Sequence, residues 1–295
     1  MPDNIIFRME HAVVKGQQHI ELEDVSLKIM GKHLTALISE DGSAGMVLRV
    51  MAGLRDIQSG KTNALELQKL CAATPEPFLR PVQYVPDDIV CYSGMTVDGF
   101  LQGMAGGSNE MMEEAQRLLS VFHIEKEEML LDMTFEQNRL VSVIQAMMAK
   151  PALLLLERPY DMLGGRTYRE LLREVAARYA AGTTVVMAAE HFADVVLPCH
   201  EYIFLKEGKV IGRYEKSELP RPAKVVTLWG GNPAAFLPEK MTMLERRKGY
   251  CRFLYTESNM KELAVRVGVT GCSNFNLEEL SMEEMLFGDY ERWRT

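Results

Sequence analysis

Three short, predominantly apolar runs, Leu34–Ile38 and residues 152–156 and 183–189, constrain this chain more than any other feature. Each is too short for a buried helix and too uniformly apolar for a strand with one wet face, so each reads as a strand covered on both sides. Helical spacing fills the intervals between them. Val47, Val50, Met51 and Leu54 share one face after Gly45, and Ala115, Leu118, Leu119 and Phe122 form a second stripe. Residues 135–149 form a third helix, which Pro151 stops, and residues 168–179 a fourth. Strands alternating with helices predict an α/β domain with a largely parallel sheet.

Other segments complete the outline. Residues 5–9 and 20–29 read as strands, residues 81–85 as a further strand, and 202–205 with 209–214 as a hairpin turning at Glu207-Gly208. Residues 95–122 are helix-prone, with a break at 103–107 where three glycines fall. Pro220 and Pro222 mark a linker. Beyond it, strands at 225–229, 250–256 and 273–277, a helix at 259–267 and a final helix opened by Ser281 and Glu284 make a small α+β appendage.

Composition narrows the function classes. With 33 basic and 41 acidic side chains the net charge is −8, which disfavours a nucleic-acid or anionic-membrane surface. The five cysteines are irregularly spaced and the six histidines never recur at i, i+4, so neither a disulfide framework nor a metal site is expected. No window approaches 18 consecutive apolar residues, and no basic leader with an apolar stretch follows Met1, so direct membrane insertion is not expected and a reducing cytosol is the expected home.

The order strand, glycine loop, helix, and then Pro151-Ala152-Leu153-Leu154-Leu155-Leu156-Glu157-Arg158-Pro159 about a hundred residues later resembles the ATP-binding subunit of ABC transporters. Tyr84-Val85-Pro86 followed by Met95-Thr96-Val97 is similar to the surroundings of the family's Gln loop, and Cys199 stands in the place of its common Leu-Cys-Asp. The tail resembles the C-terminal appendage of subunits that serve ABC-2-type exporters. The resemblance implies a P-loop NTPase-like fold: an antiparallel β subdomain, a parallel sheet with helices and a helical subdomain at about 87–150. Residues 1–218 would form the ATPase-like domain and 219–295 the appendage. It also implies pairing with a transmembrane subunit and a second ATPase-like subunit, itself or another chain, and a cytoplasmic position peripheral to the membrane.

Measured against the family's chemistry, the matching positions are altered. The phosphate loop reads Ser39 to Gly45 and then Met46-Val47, one residue short, with neither the lysine that neutralises phosphate nor the hydroxyl that ligates Mg²⁺. Gly42, Ser43, Ala44 and Gly45 remain as a vestigial turn into a helix expected from Met46. Glu157 occupies the Mg²⁺ aspartate position, and Arg158 the position of the glutamate that polarises water. A guanidinium stays protonated and is no base. Asp87 takes the Gln-loop position, Gly164 the D-loop aspartate, Glu190 the switch histidine with His191 one place late, and Thr134, Phe135, Glu136 and Gln137 the signature. Phe135 would block backbone approach to a γ-phosphate and Glu136 would repel it. No aromatic between residues 9 and 30 is present to stack on adenine.

The expected function is therefore a scaffold or regulatory cassette subunit of an exporter without ATP hydrolysis, needing no cofactor and no metal. Two alternatives stand beside it: a weak but functional ATP- and Mg²⁺-binding subunit, and a free-standing cytosolic interaction protein. Arg158 and Glu190 are expected to pair, because either charge alone would be misplaced at a closed site. Tyr92 and Met95, flanking Gly94 in an irregular segment, are the expected anchors for a partner helix.

Overall fold

The computed structural model describes residues 5–16, 20–63, 81–88, 94–195, 198–219, 223–231, 242–255 and 259–287. It divides into two compact units, Met1–Glu218 and Leu219–Thr295.

The first unit runs β1 (Ile5–Lys15), β2 (Ile20–Met30), β3 (Leu34–Ile38), α1 (Ser43–Met51), β4 (Ser59–Asn63), β5 (Val82–Val85), α2 (Val97–Ala105), α3 (Asn109–Phe122), α4 (Phe135–Met148), β6 (Leu153–Glu157), α5 (Gly165–Ala180), β7 (Thr184–Ala189), the single turn α6 (Phe192–Val195), β8 (Glu201–Lys206) and β9 (Lys209–Glu215). A six-stranded sheet has the order β5-β6-β7-β3-β8-β9. Its first five strands are parallel, and β9 returns antiparallel on β8. Every residue of β3, β6 and β7 is buried, which is why those runs carry no polar alternation.

A second, antiparallel sheet has the order β2-β1-β4. Its inward side chains, among them Phe7, Met9, Leu22, Val25 and Ile29, share one core with Leu37, Leu155 and Ile203 of the parallel sheet. The helix α1 contributes Val47, Leu48 and Met51 to that core and is buried along its length except at Arg49. That helix is thus fixed by burial, at roughly 1.5–3 kcal/mol per large apolar side chain.

Several features of the first unit differ from the sequence expectation. β1 continues to Lys15 because bulges around His11 interrupt its alternation without ending the pairing. β4 carries no apolar residue and is held on β1 by backbone pairing, which periodicity does not detect. α1 begins at Ser43, three residues before Met46: Gly42 turns at φ 81°, and side chains of Asp41 and Ser39 take the N–H groups of Ser43 and Ala44 at 2.9 Å each. Gly165 opens α5 earlier than Tyr168, because Glu136 accepts the Gly164 N–H at 3.1 Å.

The helical segment shows the expected interruption, with Gly106 and Gly107 at positive φ. Thr96, Ser108 and Thr134 cap α2, α3 and α4, the last in a reciprocal box with Gln137.

The second unit is an antiparallel sheet of order β11-β12-β10-β13, from β10 (Lys224–Trp229), β11 (Thr242–Arg247), β12 (Tyr250–Tyr255) and β13 (Asn274–Glu279), with helices α7 (Met260–Val269) and α8 (Met282–Phe287). Val226, Leu228, Phe253 and Tyr255 pack against Leu263 and Val267 of α7. Ser281 and Glu284 cap α8 reciprocally. Cys199, Cys251 and Cys272 are free thiols, and Cys71 and Cys91 lie outside the described residues. Among the described residues no helix is long and apolar enough to cross a membrane.

Candidate functional site

Open parallel sheets hold ligands in the crevice beyond the carboxyl ends of their strands. Here β5 is followed by Asp87, β6 by Arg158, β7 by Glu190 and β3 by Ser39, so four segments converge on that edge. A cavity of about 170 Å³ lies among them, lined by Ser39, Gly45, Arg49, Asp87, Arg158 and Glu190 with their neighbours. Small-molecule sites typically measure ~300–1,000 Å³.

Arg158 is the centre of its charge. One guanidinium nitrogen, Nη1, lies 2.9 Å from Glu190 Oε1 and 3.3 Å from Asp87 Oδ2, while Nε donates to Asp161 Oδ2 at 2.6 Å. The pairing expected between Arg158 and Glu190 is present. Burial works to lower the Arg158 pKa, but Asp161, then Asp87 and Glu190, outweigh it and raise the value above the ordinary one. Its backbone stands at φ 47°, a left-handed conformation that costs a non-glycine residue about 1–2 kcal/mol. The N–H bond from Arg158 to the Ala188 carbonyl, 2.8 Å, holds it there.

Arg139, one turn into α4, is 1% exposed. It donates from Nη1 to the carbonyls of Glu157 and Arg158 at 3.2 and 2.8 Å, and from Nη2 to Asp87 Oδ1 at 2.8 Å. Asp87 therefore bridges two guanidinium groups. The Arg139 Cζ also stands 5.3 Å from the ring centroid of Phe135, a residue 47% exposed.

Glu157 is buried, and its carboxylate is occupied from two sides. Arg49 Nη2 donates to Oε1 at 2.9 Å and the Tyr84 hydroxyl donates to Oε2. Burial and the Glu157 carboxylate push the Tyr84 hydroxyl well above its ordinary pKa, so it remains a donor. The same carboxylate fills the space beside Gly45, where a Cβ would lie 2.1 Å from Oε1.

The turn before α1 is closed in a similar way. Asp41 accepts from the Ser43 N–H and, through Oδ2, from the Glu207 N–H, and Ser43 Oγ accepts from the Gly208 N–H at 3.0 Å. Burial raises the Asp41 pKa, but the bonds from Ser43, Glu207 and Gly208 outweigh it and hold the carboxyl below its ordinary value. The first N–H groups of α1, the positive end of its dipole, thus face the chain's own oxygens.

The remaining positions divide. Glu136 turns onto the Gly164 N–H, and Thr134 and Gln137 cap α4. His191 is exposed, one place beyond the Arg158 partner Glu190. Met95 is 47% exposed, and Tyr92 lies outside the described residues. Sequence reasoning did not single out Arg139, Arg49, Tyr84 or Asp161. Arg139 carried a signal: it stands at i, i+4, i+8 with Val143 and Met147, a charge on a buried stripe.

No family model matches the chain. It is 29% identical over 206 residues to the ABC-type transporter ATP-binding protein EcsA of Bacillus subtilis, a match that covers 67% of this chain and 82% of the relative. It is 23% identical over 209 residues to ATP-binding cassette sub-family B member 6 of Xenopus tropicalis, 67% of this chain and 24% of that longer protein. Among solved structures it superposes on an ATP-binding subunit of an ABC transporter with a TM-score of 0.64 at 18% identity, over 72% of this chain and 91% of that one. The dimeric bacterial ABC transporter cassette MJ0796 gives 0.60 at 16% identity, over 71% and 98%. By sequence and by fold, the chain is similar to the ATP-binding subunits of ABC transporters.

Proposed function

We propose that this chain is a cassette subunit whose phosphate-binding end is closed by its own side chains, acting in an ABC exporter of the ABC-2 type as a scaffold or regulatory partner without hydrolysing ATP. The observation that carries the reading is the Arg158 cluster: a guanidinium shared by Glu190, Asp87 and Asp161 stands where a general base would be needed.

The residues present do not fit a magnesium nucleotide. The N–H groups of Ser43 and Ala44 already donate to Asp41 and Ser39. Neither a lysine nor a hydroxyl follows Gly45, since Met46 and Val47 stand there and both are buried. The Glu157 carboxylate, the remaining candidate metal ligand of the site, is engaged by Arg49 and Tyr84. Three carboxylates, Asp87, Glu157 and Glu190, line the cavity against the two guanidinium groups of Arg49 and Arg158, so a polyphosphate would meet more negative than positive charge.

In this reading residues 1–218 are the cassette domain, with the helical subdomain at about 87–150, and residues 219–295 are an appendage. The subunit sits on the cytoplasmic face through a transmembrane partner and pairs with a second cassette, its own copy or another chain. EcsA, an ABC-type transporter ATP-binding protein, and MJ0796, a dimeric cassette, support those two partnerships. Purification of the chain from its native membrane with whatever transmembrane subunit accompanies it, followed by an ATPase assay of the isolated chain, tests both halves. Co-purification with no turnover above background is the expected result. Turnover abolished by Glu157→Gln would overturn the catalytic half, and a chain found free of any membrane partner would overturn the other.

A further inference from the structure

Besides the packing of α4 on β5, where Gln145 bonds Gln83 at 3.2 Å, the helical segment 97–148 meets the rest of the first unit through two separated charged clusters. At the first, Arg139 of α4 reaches across to the carbonyls of Glu157 and Arg158 and to Asp87, and Glu136 takes the Gly164 N–H. At the second, the middle of α3 meets α5. Arg117 donates to both carboxylate oxygens of Glu174, from Nη1 at 3.0 Å and Nη2 at 2.6 Å, and also to Glu114 at 2.9 Å, while Arg178 of α5 bonds Glu114 in return. Glu174, Glu114 and Arg178 are each largely buried, with side-chain exposures of 11%, 14% and 11%.

We infer that this second cluster is a latch: with the Arg139 contact it fixes the helical segment in one orientation on the core, in the absence of any ligand. A rigid segment pinned at one point swings about that point. Pinned on the α4 side and again at the second cluster, it swings only by parting the charges of that cluster, which leaves partly buried ions without partners. The four members alternate in sign, and Arg117 is bidentate to both Glu174 and Glu114, the arrangement in which ion pairs are strong and directional. This inference goes beyond the proposed function and uses nothing about nucleotide.

Distance measurement between spin labels on exposed Gln102 of α2 and exposed Ala176 of α5 tests it, using a ketone-bearing amino acid for labelling so that the native cysteines stay in place. In the full chain without ligand the latch predicts a single narrow distance. Arg117→Gln adds a second, displaced population, and Glu174→Gln does the same independently, so the test survives the loss of either variant to misfolding. A broad or two-peaked distribution in the unsubstituted chain would overturn the latch, as would an unchanged single peak in a folded variant. Neither outcome touches the absence of ATP turnover, which is read in a separate assay.

Discussion

Arg158 Nη1 and Glu190 Oε1 stand 2.9 Å apart, joining the ends of two adjacent parallel strands, β6 and β7. Asp87, after the next strand outward, extends the line to β5 through the same guanidinium nitrogen. The crevice at the sheet edge is thereby crossed by a row of alternating charges. Arg139 anchors the row, because its buried guanidinium takes Asp87 Oδ1 while Arg158 takes Oδ2.

Removing Arg158 leaves Asp87 with Arg139 but strips Asp161 and Glu190 of their partner. Arg158→Ala should therefore cost about 1–3 kcal/mol in denaturant unfolding. Glu190→Gln, at a site 38% exposed, should cost less than about 1 kcal/mol. The backbone adds a second comparison: at φ 47° glycine is unstrained, so Arg158→Gly should be about 1 kcal/mol more stable than Arg158→Ala. Equal stability of the two variants would show that the left-handed turn carries no strain.

The close packing of Gly45 on Glu157 gives a coupled pair. Gly45→Ala brings a Cβ within 2.1 Å of Glu157 Oε1 and should destabilise by about 1–3 kcal/mol. In a Glu157→Ala background that clash is gone, so the glycine substitution should be close to neutral there. A double-mutant cycle should return a coupling of about 0.5–3 kcal/mol, and additive effects would contradict the contact.

Acid should weaken the sheet at its other end. His200 precedes β8, with its ring centroid 4.7 Å from that of Tyr179 and 6.2 Å from that of His33. Burial, then the neighbouring His33 and Lys216, lowers its pKa below the ordinary 6.5, against smaller opposing effects of Glu215 and the hydrogen bond to Leu34. The unfolded chain therefore takes up this proton first. The stability involved is complete above pH 6.5 and is lost as pH falls through the lowered folded value. His200→Gln should flatten the decline in unfolding free energy between roughly pH 7 and 5, and an unchanged slope would assign the decline to other groups.

Met95 is exposed while its carbonyl accepts the Leu130 N–H at 3.0 Å, so its side chain is presented from a backbone already held. The adjacent Val97 and Leu101 are buried. Replacing Tyr92 and Met95 by Asp should leave thermal stability unchanged and abolish co-purification with a membrane subunit. Retained co-purification would exclude this segment as the docking site, and lost folding would return the residues to the core.

The parallel sheet was legible because its central strands are short and predominantly apolar without alternation, a pattern that burial on two faces requires. β4 and the true end of β1 were not, since backbone pairing and a bulge leave no hydrophobic period. At the site, the resemblance to the ATP-binding subunits marked Glu157, Arg158, Glu190 and Asp87, and the opposite charges at 158 and 190 were enough to foresee their pairing. Arg139, Arg49 and Tyr84 were hidden because they belong to the site only in space: they lie on α4, α1 and β5, and what joins them to it is the carboxylate of Glu157 and the carbonyls around it. Asp41 and Ser39 showed as loop residues, but that their oxygens occupy the N–H groups of α1 depends on the turn geometry at Gly42.

The central claim, that the phosphate-binding end is filled by the chain itself, is tested most directly by calorimetric titration of the purified protein with Mg-ATP. The account predicts no saturable heat at concentrations up to ~1 mM, a binding free energy weaker than about −4 kcal/mol. A saturable one-to-one isotherm in the micromolar range would contradict it.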